Sequence, residues 1–268
     1  MLNSLNHLWG ISASGIHSRQ RQLDLLSHNI ANVNTVGFKA SQAGFQALIR
    51  NTVLTEEDAA VTVDGMPGES IQEGMGVLFT HSTHLFTQGT LNQTGDPHNM
   101  AITGDGFFQV TNPAGTVLYT RAGDFHRDLA GNLVTADGYR LQPVAAIPDD
   151  IAEIYIDPSG RILGRAAGQT NVQELGVIQL ALFENPDGLE NVGKNAFVPT
   201  VASGPAQLGE ANLDGRGAVL SGYLEGSNVD LSQEMTELLR SQRAYSMSLR
   251  SLSVADEIFR LANEMPRG

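Results

Sequence analysis

The sequence predicts an α+β fold, with long N- and C-terminal helices forming a coiled-coil-like stem around an inserted all-β domain. Three observations predict it. Both ends carry apolar residues at the spacing of a helical seam. The middle is a succession of short β-type runs cut by Gly, Pro, Asn and Asp. A polar stretch with weak periodicity separates the first helix from that middle. These patterns give 1–46 as the N-terminal helix with the turn that ends it, 47–74 as an extended polar arm, 75–215 as the β-rich domain, and 216–268 as a C-terminal helical segment that pairs with the first.

Steps of four and three residues from the N-terminus fall on Leu5, Trp9, Ser12, Ile16, Arg19, Leu23, Leu26, Ile30 and Val33. A 3.5-residue repeat held over four heptads marks a coiled-coil seam rather than an ordinary surface helix. The helix then runs into NIANVNTVGFK, residues 29–39. Asparagine is a poor helix-interior residue because its amide competes for backbone hydrogen bonds. Asn29 and Asn32 share one helix face, and Asn34 and Thr35 sit at the helix end. Gly37 is placed to take a left-handed exit conformation, and Phe38 to anchor the turn in an apolar pocket. One reading is a stop signal. The other is that the amides bond across to neighbouring helices, since each offers both a donor and an acceptor. The two are compatible.

The arm 47–74 contains LTEEDAAVTVDGMPGES, which suits a disordered linker or an extended arm. The β-type runs follow: FFQV (107–110), TVLYT (116–120), NLVTA (132–136), YRLQPV (139–144), EIYI (153–156) and VIQLALF (177–183). NPAG (112–115), DLAGN (128–132), DPSG (157–160) and NPDG (185–188) supply the turns between them.

The C-terminal helix repeats the N-terminal pattern. Its seam is Leu231, Met235, Leu238, Gln242, Tyr245, Leu249, Leu252, Asp256 and Phe259, and Asp230 with Gln233 forms a capping-box pattern at its start. Ser12, Arg19, Gln242 and Asp256 interrupt the two seams. Two helices joined by so broken a seam bury too little apolar surface to offset the entropy of ordering them. The expectation is that the stem gains its stability from other copies of the chain, and that both ends order on assembly.

The net charge of −13 is uneven: +2 over residues 1–40, −1 over 228–268, and the remaining −14 over 41–227. That balance argues against nucleic acid and anionic membrane as partners. With no cysteine, the chain can form neither a disulfide nor a zinc–thiolate site. The N-terminus lacks the basic and apolar regions of a cleaved signal peptide, and the longest apolar run, LGVIQLALF (175–183), is half the length of a membrane span. His81 and His84 form an H-x-x-H, which on a strand points the rings to opposite faces, so surface histidines are the better reading than a metal site. GDGFF (104–108) lacks the third glycine and the following helix of a dinucleotide loop. Neither a P-loop nor a Gly-x-Ser-x-Gly is present, so the sequence points to no catalysis, no cofactor and no metal.

Four stretches in order, NIANVNTVGFK, QGTLNQTGDPHNMAITGDGFFQV (88–110), YTRAGDF with GNLVTADGYRLQP (119–143) and GYLEGSNVDLSQEMTELLRSQRAY (222–245), resemble the signatures of the bacterial flagellar rod and hook family, most closely its distal-rod members. The sequence departs from the family pattern at Asn99, Ser246 and Ser248. The resemblance implies a structural subunit, exported unfolded without a cleaved signal. It would stack into a helical tube that crosses the periplasm within the basal body and transmits motor torque to the hook. It implies as partners further copies of the chain, other rod subunits, the hook protein and bushing-ring proteins. It also implies that the terminal helices line the tube, and that the arm 47–74 stiffens it through contacts between subunits. Two alternatives stand beside this reading: a proximal-rod or hook-type axial protein of the same family, and an oligomeric β-domain that binds carbohydrate or protein at a surface and uses the helices only to associate.

Overall fold

The computed structural model describes residues 2–52, 71–144, 146–148, 150–166 and 171–264. The chain is mixed α+β: an N-terminal helix α1 (Leu2–Ala31), a β-rich middle, and a C-terminal helix α2 (Leu231–Glu264). It divides into two compact units. Unit 1 comprises Met1–His28, Ser41–Thr83 and Ser232–Gly268; unit 2 comprises Asn29–Ala40 and His84–Leu231.

In unit 1 the helices run antiparallel. Gln22 Nε2 donates to Glu237 Oε1 at 3.2 Å, and Gly15 faces the Ser248 hydroxyl seven residues back along one helix and eleven forward along the other. Two strands, Ser41–Thr52 and Ile71–His84, pair with each other. The second is tied to α1 through one residue: the Ser18 hydroxyl donates to the Val77 carbonyl at 3.1 Å, and the Val77 N–H donates to the Ser14 hydroxyl at 3.4 Å. Ser14 and Ser18 lie one turn apart on α1, so two short side chains on one face grip both backbone groups of a strand residue. Phe45 and Phe79 meet edge to face across the pair, 6.1 Å between centroids. These strands take in residues 47–52 and 71–74 of the polar arm expected over 47–74; the rest of that arm lies outside the described residues. Their apolar residues are largely exposed, Phe45, Leu48, Ile49, Met75, Val77 and Leu78 among them. The alternation of inward apolar and outward polar residues that announces a strand is therefore weak here.

Unit 2 is built on a nine-stranded antiparallel sheet. Its main path runs Glu190–Gly193, Ala196–Val198, Val117–Thr120, Phe107–Thr111, Arg140–Leu141, Leu133–Thr135, Phe125–Arg127, and Gln179–Leu182 branches off to join Phe107–Thr111 to Gln207–Glu210. A separate three-stranded sheet orders Ile151–Ile156, Arg161–Ala166, Val172–Val177. The strand Phe107–Thr111 has apolar packing on both faces. Period-two alternation sends Phe108 and Val110 into a cluster with Met100, Phe125, Leu141, Ile162 and Leu180. Phe107 goes the other way, to Tyr119, Phe183, Leu189 and Phe197. The aromatic contacts are edge to face, with Phe108–Phe125 at 5.4 Å and Tyr119–Phe183 at 5.0 Å.

The turn chemistry acts as the residue types dictate. In DLAGN the Asp128 carboxylate accepts from the N–H groups of Ala130 and Asn132, while Gly131 takes φ +82. Two of the expected strands are corrected. VIQLALF is not one strand: Val172–Val177 belongs to the three-stranded sheet and Gln179–Leu182 to the large one. The Ile178 N–H donates to the Gly160 carbonyl at 2.7 Å instead of to a ladder, so the chain changes sheet there. YRLQPV pairs only at Arg140–Leu141, because Gln142 bonds to Gln109 outside the strand and Pro143 has no N–H to give.

Candidate functional site: helix seams and a buried clasp

The residues expected at the seams fall into distinct environments. On α1, Trp9 is 50% exposed, Ile16, Leu23 and Ile30 are half-buried, and Leu26 is buried. The side chain of Leu5 lies outside the described residues. On α2, Leu231, Met235, Gln242 and Leu249 are exposed, with Met235 at 51%, whereas Leu238, Tyr245, Leu252 and Phe259 are half-buried. Leu239, Val254, Ile258 and Leu261, off the expected stripe, are exposed too. The helices thus carry unburied apolar surface on more than one face.

The signature turn is in unit 2. The helix α1 stops at Ala31, and the bonds tighten to i→i−3: Asn32 N–H to Asn29, Val33 to Ile30, Thr35 to Asn32. The Thr35 hydroxyl donates to Asn32 Oδ1 at 3.1 Å. Asn29 and Phe38 are buried, and Asn32 is half-buried. Gly37 has φ +67, and a Cβ on it would meet the Ala122 backbone nitrogen at 2.5 Å, so the position demands glycine twice over, by conformation and by space.

Immediately after this turn lies a cluster that the seam reading did not single out. Lys39 is 1% exposed, Arg121 2% and Glu225 0%. Lys39 Nζ donates to Glu225 Oε1 at 2.7 Å and to the Thr87 carbonyl at 2.8 Å. The same carboxylate oxygen accepts from the Gly89 N–H at 3.0 Å. Arg121 Nη1 lies 3.6 Å from Glu225 Oε2, and its guanidinium sits over the Phe107 ring, 5.2 Å from the centroid. Two cations thus share one buried carboxylate. Burial pushes the Lys39 amine below its ordinary value, with Glu225 acting against that and Arg121 adding to it. Burial lowers Arg121 likewise, opposed by Glu225 and Asp105. A buried ion pair is poor evidence of net stability, but removing one partner typically costs about 3–5 kcal/mol, because the other is left uncompensated. Asn228 completes the clasp: its Oδ1 accepts from the Ala40 N–H at 2.8 Å, and its Nδ2 donates to the Leu85 carbonyl at 2.7 Å. The sequence did hold a signal for these residues. Each charge stands alone between small or apolar residues, as Phe38-Lys39-Ala40, Thr120-Arg121-Ala122 and Leu224-Glu225-Gly226.

Among the described residues, no group of three or more His, Asp or Glu is placed to hold a metal ion, and no helix is long and apolar enough to cross a membrane. Three family models match the chain. One described as flagella basal body rod protein covers residues 11–39, a flagellar hook protein FlgE/F/G D1 domain covers 101–164, and a flagellar basal body rod FlgEFG protein C-terminal region covers 220–265. They define the class, a structural protein of the flagellar rod and hook. The chain is 38% identical over 254 residues to the flagellar basal-body rod protein FlgG of Caulobacter vibrioides, with 95% of this chain and 97% of that one covered. It is 37% identical to FlgG of Agrobacterium fabrum (92% and 95% covered) and 36% identical to FlgG of Bacillus subtilis (91% and 93%). The chain belongs to the flagellar basal-body rod family and is a structural subunit of that rod.

Proposed function

We propose that this subunit builds the distal rod by stacking on copies of itself into a helical tube, with α1 and α2 as a coiled-coil-like stem clasped by the stems of neighbouring copies. The observation that carries this reading is the large apolar side chains left exposed on both helices, Trp9, Leu231, Met235 and Leu249, while unit 2 closes its own two aromatic and aliphatic clusters. A contact that repeats without closing gives an open helix rather than a ring. The distal-rod assignment is supported by the FlgG relatives, which match over nearly the whole of both chains. Other rod subunits, the hook protein and the bushing rings would meet the tube at its ends and outer surface, and the tube would carry torque across the periplasm.

The test is polymerisation of the purified chain at high concentration, followed by sedimentation and electron microscopy. Wild type should form tubes. The double variant Met235→Glu, Leu249→Glu places charges on the exposed seam and should stay small while keeping the β-sheet circular dichroism of unit 2. A double variant that polymerises as wild type does would exclude the helix seams as the assembly surface. Small closed oligomers from the wild type would exclude the tube.

A further inference from the structure

The segment Tyr223–Asn228 closes unit 2 from the far end of the chain. Tyr223–Glu225 pairs with Leu91–Gln93, and Ala218–Ser221 just before it pairs with Met100–Thr103. The Gly37 N–H donates to the Glu225 carbonyl at 2.8 Å, the Gly226 N–H to the Thr90 carbonyl at 2.8 Å, and the Ala40 N–H to the Asn228 side chain. Lys39 and its counter-charge are 186 residues apart. Without Glu225, Lys39 and Arg121 would be two buried like charges; Asp105, which also attracts Arg121, is exposed. Uncompensated buried charge and unpaired buried backbone groups are both strongly unfavourable.

We infer that Glu225 is a completion latch: unit 2 locks into its native packing only once the chain up to Asn228 is seated, and the lock is the neutralisation of two buried cations by a carboxylate synthesised after both. The first strands of the unit find their partners only among its last, so every earlier intermediate lacks both a sheet neighbour and a counter-charge. Such non-local closure makes folding slow. A chain still being made therefore stays open.

Full-length variants test the latch. Glu225→Gln keeps the shape and an acceptor for the Gly89 N–H but removes the charge. Lys39→Met removes one cation at similar volume. Denaturant midpoints are read from the tyrosine near-ultraviolet signal, to which unit 2 contributes Tyr119, Tyr139, Tyr155 and Tyr223 and α2 only Tyr245. Glu225→Gln should lose most of the folded signal, and the double variant Lys39→Met, Glu225→Gln should have a higher midpoint than Glu225→Gln alone, since it leaves one stranded cation instead of two. A role limited to shape or hydrogen bonding predicts no such rescue. In pulse proteolysis during synchronised synthesis of the full chain, protease resistance of unit 2 should appear only in chains that extend past Asn228. The latch is overturned by a wild-type midpoint for Glu225→Gln, by a double variant no more stable than that single one, or by resistance in chains that end before Tyr223.

Discussion

Gly37 and Asp124 show how much a single position contributes to the signature turn and its surroundings. Gly37→Ala would force an L side chain into φ +67 and drive its Cβ against the backbone of Ala122, which cannot swing aside as a side-chain tip can. Strain at such a position is of order 1–3 kcal/mol before the clash is counted, so the denaturant midpoint should fall by at least that equivalent; an unchanged midpoint would show that the turn relaxes freely. Asp124 is half-buried and lines a cavity of about 240 Å³ with Thr35 and Val36 of the same turn. Burial chiefly, with a smaller contribution from Asp137, raises its carboxyl above the ordinary 3.8. The folded state therefore holds this proton more tightly than the unfolded chain does, and ionisation costs stability as pH rises through the folded pKa. Asp124→Asn should raise the melting temperature at pH 7, and the gain should vanish as pH falls below 3.8, where aspartic acid and asparagine are both neutral. A gain that persists unchanged at low pH would assign it to something other than charge. At this scale Gly37 and Phe38 were legible in the sequence, because a glycine and an aromatic after a run of asparagines have local meaning. Lys39, Arg121 and Glu225 were legible only as isolated charges among small or apolar residues, and their meeting was not, since a charged residue is normally a surface residue and only the fold brings three distant ones together.

At the scale of elements, legibility followed burial. Phe107–Thr111, Val117–Thr120 and Leu133–Thr135 match runs that the sequence marks as strands, the first extending one residue past its run, because their side chains pack inside the sheet and the flanking turns carry the residues their geometry needs. Ser41–Thr52 and Ile71–His84 were not marked: they pair with each other, and the apolar side chains described on them are largely exposed, which leaves little alternation in the sequence to announce a strand. The helices were legible from their seams, although the structure spreads apolar exposure beyond a single stripe. Phe108 carries the clearest energetic test. Fully buried, and edge to face with Phe125, it lies on a strand that pairs with three others. Phe108→Ala should cost about 3–5 kcal/mol, a large share of the total stability of a domain. Calorimetry should show that loss in the β-sheet transition of unit 2, and a loss below about 1 kcal/mol would mean that the cluster collapses around the gap.

On the scale of the whole chain, the two units differ in what they need from outside. Unit 2 closes two apolar clusters and sets its own carboxylate against the buried cations Lys39 and Arg121. The helices of unit 1 leave Trp9, Met235 and Leu249 in solvent, and a helix whose apolar face is unburied lacks the packing that supplies most of a helix's stability. In dilute solution a protease should therefore remove α1 up to about Asn29 and α2 from about Ser232, the limits of unit 2, and leave that unit intact. Unit 2 is discontinuous, built from Asn29–Ala40 and His84–Leu231. A cut between Ser41 and Thr83 should not release Asn29–Ala40, because the Leu85 N–H holds the Ala40 carbonyl at 2.8 Å and Asn228 holds both strands of the crossing. The nicked product should run as one species under native conditions and separate into two peptides in denaturant. In assembled tubes the helices should resist the same protease, because the proposed assembly covers the seams with neighbouring copies. Helices fully protected in the dilute chain would show that the stem is self-sufficient, and the exposed apolar side chains would then need another explanation than assembly.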